Sequence, residues 1–160
     1  MDLACEFDKL IIKGVPHIHE KIFFSLDYSS FKICPEVCKS WNNLLTSESF
    51  QRRNTSLFHE EIHKDLMLAA IKGNETVVER LLSTFLINVN FTREMTEIFS
   101  WLKEENITYK DLQYHSNIWS YLHSYNNKTT LVNTSPLVLA AIKGHKNVAT
   151  LILDRGADPN

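Results

Sequence analysis

The sequence predicts an all-α protein built from short paired helices, and three observations carry that expectation. The letters Ala69-Ala70-Ile71-Lys72-Gly73 recur unchanged as Ala140-Ala141-Ile142-Lys143-Gly144, 71 residues later. Apolar residues fall at helical intervals, as in Ile18, Ile22, Phe23 and Leu26. Pro16 and Pro136 stand where helices start, and Gly73 and Gly144 where they stop, each in the place its backbone chemistry suits.

In chain order, Pro16 suits a first helical position, and the stripe from Ile18 to Leu26 makes the helix after it amphipathic. Ser29 and Ser30 are candidate caps for a second helix with Phe31, Cys34 and Val37 at threefold spacing. Pro35 lacks the N–H a helix interior needs, so it is expected to bend or break that segment. Cys38, Trp41, Leu44 and Leu45 continue the apolar face into a third helix. From Ser47 to Lys64 the text is polar, with Phe50, Leu57, Phe58 and Ile62 at helical spacing, which predicts one or two linking helices.

The densest signal lies in Ser135–Asn160. Ser135 is an N-cap candidate, Pro136 follows at N1, and Gly144 sits where a left-handed C′ residue is needed. A second short helix carries Val148, Leu151, Ile152 and Leu153, and Gly156-Ala157-Asp158-Pro159-Asn160 reads as a turn. This stretch resembles an ankyrin repeat, with Val138 in place of the family's usual His. A second unit of the same kind starts at Asp65 and ends in a degraded turn, Ile87 to Asn90. Two ankyrin periods span about 66 residues, so the 71-residue offset has room for one divergent repeat between the two. Met95, Ile98, Phe99 and Leu102 form one apolar face there, and Leu112, His115, Ile118, Trp119 and Leu122 another. An eroded repeat and a helical insertion both stand open for 91–134, the spacing favouring the former. Leu151, Ile152 and Leu153 carry no polar substitution of the kind a terminal repeat shows, so further repeats are expected after Asn160.

The segment Glu20-Lys21-Ile22-Phe23, Leu26-Asp27, Phe31 and Val37-Cys38-Lys39 with Trp41 resembles the F-box, a three-helix module that docks on Skp-type adaptors of cullin ubiquitin ligases. Val15-Pro16 departs from the family's spacing by one residue, and Pro35 is foreign to the pattern. The two resemblances imply an F-box over 12–50, a helical linker over 51–63 and ankyrin repeats over 64–160, divided into 64–90, 91–134 and 135–160. The F-box resemblance implies an adaptor-binding set of Pro16, Ile18, Ile22, Phe23, Leu26, Phe31, Val37 and Trp41, on the reasoning that three short helices cannot bury such a stripe among themselves. The ankyrin repeats imply an unknown protein substrate, for which Tyr121 and Tyr125 are surface candidates, with Trp119 assigned to the core. The whole reads as a substrate-recognition adaptor of a cullin-based (SCF) ligase. The alternative is an ankyrin scaffold with no ligase role.

Composition narrows the classes. The chain of 160 residues is 44% hydrophobic and 22% charged with formal net charge −2, ordinary values for a globular protein. Without a basic cluster there is no footprint for nucleic acid or an acidic membrane, so neither is expected as a partner. Three cysteines, Cys5, Cys34 and Cys38, suit a reducing compartment, cytoplasmic or nuclear. His59-Glu60-Glu61-Ile62-His63 matches the zinc pattern H-E-x-x-H, but no third ligand follows and a charged Glu61 sits where enzymes of that pattern keep an uncharged residue. Cys34 and Cys38 with His17 and His19 form another conceivable zinc set, though a buried structural thiol explains Cys38, at the small apolar position of Val37-Cys38-Lys39. With only four glycines there is no phosphate loop. No enzyme activity, metal or cofactor is expected, and His145 is assigned a structural role in the turn after Gly144.

Overall fold

The computed structural model describes residues 18–53, 57–107 and 133–160. The described residues are mainly helical and fall into two units, Met1–Glu61 with Ser83–Leu86 and Ile62–Leu82 with Ile87–Asn160.

In the first unit, α1 (Ile18–Ser25), α2 (Tyr28–Phe31), α3 (Cys34–Val37), α4 (Lys39–Leu45) and α5 (Glu48–Arg53) follow one another closely. The cap of α2 is Asp27, not Ser29 or Ser30 as expected. Its backbone is extended, and its carboxylate accepts from the Ser30 N–H at 2.7 Å and the Ser29 hydroxyl at 2.9 Å. The segment is broken ahead of Pro35, as expected: α2 ends at Phe31 and α3 begins at Cys34. Pro35 lies in the first turn of α3, where its missing N–H costs nothing. Extended Cys38 separates α3 from α4.

The stripe of this unit turns inward. Phe23 is 1% exposed and meets Phe31, Trp41 and Phe50 edge-to-face, at centroid distances of 6.2, 5.2 and 6.1 Å. Edge-to-face geometry sets the positive rim of one ring against the negative face of another. Cys34 and Leu45 complete the cluster, with Leu26, Leu44, Leu57, Phe58 and Phe85 packed on it. Gln51 ties the cluster's edges with every group of its amide. Its Nε2 donates to the carbonyls of Leu45 and Thr84, and its Oε1 accepts from the Leu86 N–H at 2.9 Å. The expectation that only a partner can cover this stripe is therefore corrected: linker residues Phe50, Leu57 and Phe58, together with Phe85, cover it from within the chain.

The second unit contains most of α6 (His59–Lys72), followed by α7 (Glu75–Thr84), β1 (Arg93–Glu94), α8 (Met95–Glu104), β2 (Asn133–Thr134), α9 (Pro136–Ile142) and α10 (Lys146–Asp154). α6 runs unbroken from His59, so the expected boundary between 63 and 64 falls inside a helix. Ile62, His63 and Leu66 through Ile71 are buried, the pattern of a helix covered on most sides. It ends at Gly73 (φ 69°), where the Asn74 N–H returns to the Ala69 carbonyl at 3.0 Å. α9 ends in the same way at Gly144 (φ 74°), with the His145 N–H on the Ala140 carbonyl at 2.9 Å. A left-handed residue at this point turns the next N–H back onto an orphan carbonyl, and glycine takes that conformation freely. Ser135 caps α9 as expected, accepting from the Val138 N–H at 3.3 Å. In α8 the residues Met95, Ile98 and Leu102 are buried, the face that periodicity predicts.

The helix pairs α6–α7 and α9–α10 are direct neighbours. The Asn147 amide donates to the Glu75 carboxylate at 2.8 Å, and Arg155 donates to the Leu82 carbonyl. Asn90 holds the far turn, donating to the Gly156 carbonyl at 3.2 Å and accepting from the Asp158 N–H at 2.7 Å. β1 and β2 pair antiparallel, Arg93 opposite Thr134 and Glu94 opposite Asn133.

Phe23→Ala is expected to cost the first unit about 3–5 kcal/mol in urea unfolding, because it empties the centre of a ring cluster. Phe24→Ala, at an exposed neighbour, should stay within about 0.5 kcal/mol. The Asp27 carboxyl is held below its ordinary 3.8, first by the Ser30 backbone N–H and then by the Ser30 and Ser29 side chains. The folded state thus binds fewer protons there, so the contribution is full above 3.8 and is lost as pH falls through the lowered value. In acid titrations of the urea midpoint, Asp27→Asn should show a shallower fall than the parent below about pH 4.

Candidate protein-binding surface

The helical framework decides which of the expected docking residues reach the surface of the first unit. Phe23 and Phe31 are interior residues, which removes them from any contact surface. Ile22 and Leu26 are half-buried, and Trp41 is half-buried with its ring against Phe23. Val37 alone of the described set is well exposed, at 45%. Pro16 lies outside the described residues, as does the side chain of Ile18 in α1. Phe24 and Ile33 are exposed apolar residues that periodicity did not single out. Both stand one position off the buried set, beside Phe23 and Cys34, so the turns of short separate helices decide their exposure.

In the second unit the described surface is that of a helix-pair stack joined at its turns. His145 is the joint. Its Nε2 lies 3.0 Å from the Ile71 carbonyl, and since a carbonyl only accepts, this nitrogen carries the proton. The ring fills the space beside Gly73, where an added Cβ would come within 2.5 Å of the imidazole Nδ1. Two ion pairs link α6 to the end of α8, Lys64 with Glu104 at 2.6 Å and Lys72 with Glu105 at 3.2 Å. α8 closes on Asn106 in the left-handed region (φ 54°), with the Ile107 N–H on the Leu102 carbonyl at 2.9 Å. Asparagine tolerates that region, a stop signal legible in the sequence but not read from it. Tyr121, Tyr125 and Trp119 lie outside the described residues.

The residues of the H-E-x-x-H pattern sit on α6 with different surroundings. His63 is buried, its ring stacked on Phe91 at 3.6 Å between centroids and 2° between planes. Its Nδ1 lies 3.1 Å from Arg93 Nη2, and arginine only donates, so Nδ1 accepts. A guanidinium at that distance opposes a divalent cation on the same ring. His59 instead pairs with Glu60 at 3.5 Å near the surface. The Cys34 thiol donates to the Ser30 carbonyl at 3.3 Å, and burial pushes its pKa up, the surroundings of an inert structural thiol. Cys38 is buried as well, while His17 and the side chain of His19 lie outside the described residues. Among the described residues no three His, Cys, Asp or Glu side chains gather as metal ligands would, and no helix is long and apolar enough to cross a membrane.

Residues 133–160 match the ankyrin repeat family model. No curated protein and no solved structure matches the chain. The matched residues comprise β2, α9, α10 and the turn after them, the part that packs on α6–α7 through His145, Asn147 and Arg155.

Gly73→Ala should destabilise the second unit by about 2–3 kcal/mol, combining a left-handed backbone with collision against His145. Gly156→Ala meets open space and should cost only the backbone share, about 1 kcal/mol. His145→Ala should recover part of the Gly73→Ala loss, and a thermal double-mutant cycle reads that coupling. Additive losses would count against the contact.

Proposed function

We propose that the chain is a protein-binding adaptor that holds a protein substrate on its ankyrin repeats and serves a cullin-based (SCF) ubiquitin ligase through an F-box-like first unit. The single observation that carries the protein-binding part is the ankyrin repeat match over residues 133–160, whose helices are seated on a second helix pair with the same Ala-Ala-Ile-Lys-Gly sequence. Repeat stacks of this kind present extended surfaces to other proteins. The ligase part rests on the resemblance of Glu20 to Trp41 to the F-box, and its docking set is revised by burial. Among the described residues, the large apolar side chains this unit exposes are Val37, Phe24 and Ile33, not Phe23 and Phe31. The reading takes the chain to work by positioning, without catalysis, metal or cofactor, in the cytoplasm or nucleus.

The runner-up, an ankyrin scaffold with no ligase role, is favoured by one specific observation. Among the described residues, the first unit buries its aromatic cluster of Phe23, Phe31 and Phe50 with its own side chains.

We further propose that 91–134 is an insertion rather than an eroded repeat. Subtracting one ankyrin period of about 33 residues from the 71-residue offset leaves about 38. That is the number of residues between Glu94 and Asn133, the ends of the paired strands.

Purified chain mixed with a Skp-type adaptor and passed over a size-exclusion column decides between adaptor and scaffold. The adaptor reading expects co-elution, lost in Val37→Asp and Phe24→Asp with helical circular dichroism unchanged. Absence of co-elution by the parent chain would overturn the ligase part and leave the scaffold.

A further inference from the structure

Among the described residues five hold a positive φ, and four of them, Gly73, Gly144, Gly156 and Asn106, are of types that tolerate it. The fifth is Phe58, at φ 55°. For a bulky side chain that conformation is strained, and it persists only where surrounding contacts hold it. Here the contacts are aromatic. The Phe58 ring lies 5.1 Å from that of Phe31 and 5.5 Å from that of Tyr28, centroid to centroid. Phe58 is itself half-buried and packs on the cluster from outside, whereas Phe31, which it covers together with Phe85, is 3% exposed. It stands immediately before α6, where a hydroxyl or carboxylate would cap the helix and a phenyl ring cannot. Neither backbone preference nor capping accounts for a phenylalanine in this conformation, and the covering of Tyr28 and Phe31 does.

We propose that Phe58 is an autoinhibitory cap, a strained side chain that keeps Tyr28 and Phe31 covered until an apolar side chain of the adaptor displaces it. This rests on the ligase reading and names the regulation of its docking face. Phe31 belongs to the set that the F-box resemblance assigns to the adaptor, and it is interior in the closed arrangement because Phe58 and Phe85 lie on it. Withdrawal of the Phe58 ring lets residue 58 return to negative φ. Relief of that strain offsets part of the lost ring contact, which narrows the gap between the covered and uncovered arrangements. An adaptor side chain seated against Tyr28 and Phe31 then replaces the contacts that Phe58 gives up. Phe23, amid three rings and without a positive φ, stays in the core throughout.

The test compares Phe58→Ala and Phe58→Gly in the full chain. Both remove the ring, and only glycine also removes the strain. Titration calorimetry with a purified Skp-type adaptor is expected to show binding at least about tenfold tighter than the parent's. The reason is that an apparent dissociation constant is the intrinsic one divided by the open fraction, and minor states hold about 0.1–10% of the population. Hydrogen exchange read by mass spectrometry should quicken in α2 (Tyr28–Phe31) and stay unchanged in α4 (Lys39–Leu45), the mark of a cap that leaves the cluster intact. Glycine should give the higher urea midpoint of the two, the reverse of the usual order in helices and strands. Phe58→Leu keeps an apolar plug and should tighten binding less, and it supplies the comparison if the smaller residues unfold the unit. Equal adaptor affinity in parent and variants would overturn the inference and leave the ligase reading standing. So would exchange quickened as much in α4 as in α2, or an alanine midpoint above the glycine one. Binding by neither parent nor variants would overturn both.

Discussion

The imidazole of His145 occupies the space into which any side chain on residue 73 would have to project, and much of the second unit follows from that contact. Gly73 must be left-handed for α6 to stop and for Asn74 to begin the reversal into α7. A left-handed glycine also leaves a bare patch of backbone, with the Ile71 carbonyl close by. His145 uses both features, seating its ring on the patch and its Nε2 proton on the carbonyl. Its own backbone N–H is meanwhile engaged in ending α9 on Ala140. One residue thus terminates its own helix and joins its helix pair to the one before. With Asn147 and Arg155 spaced along α10, the second helix pair is aligned on the first at three heights.

Much of this was legible in the sequence because helix ends have local causes. The Ser135 cap, Pro136 at N1 and the glycines at 73 and 144 each act within a few residues, so letters and geometry agree. The N-terminal module was harder to read for the same reason in reverse. Its apolar stripe was visible, but whether a stripe faces a partner or the chain's own core depends on distant residues. Phe50, Leu57, Phe58 and Phe85 settle that question by covering the first helices, and no local spacing in 15–45 announces them. The cap at Asp27 was missed beside two serines equally able to cap. The carboxylate wins because it stands in extended backbone one residue before Tyr28 opens α2, reaching two donors at once.

The same contrast separates Phe23 from Val37, two members of one expected docking set. Phe23 lies amid three rings, so its burial stabilises the unit's fold and is unavailable to a partner. Val37 ends α3 just before the extended Cys38, where the chain swings away and leaves it exposed. The F-box resemblance concerns residue types at intervals, and burial assigns those types to two different tasks. The exposed apolar side chains described in this unit are instead Phe24, Ile33 and Val37.

Between the two helix pairs, spacing alone leaves two readings open. An offset of 71 residues lies near two ankyrin periods, and the apolar face of Met95, Ile98 and Leu102 suits an eroded helix. Direct contact between α6–α7 and α9–α10 leaves that helix elsewhere, against α6 through Lys64 and Lys72. The paired strands bring the two ends of the segment between Glu94 and Asn133 together. Arg93 and Glu94 are held opposite Thr134 and Asn133, so the chain leaves and rejoins the turn at adjacent points. Closing a longer loop costs little more than closing a short one, since the entropy grows only logarithmically with length. What matters to the stack is the separation of the loop's ends, which the strand pairing fixes, and Asn90 holds the adjoining turn by bonding to Gly156 and Asp158. Joining the segment after Glu94 to Asn133 at that point spares the His145 joint on which the alignment of the two helix pairs depends.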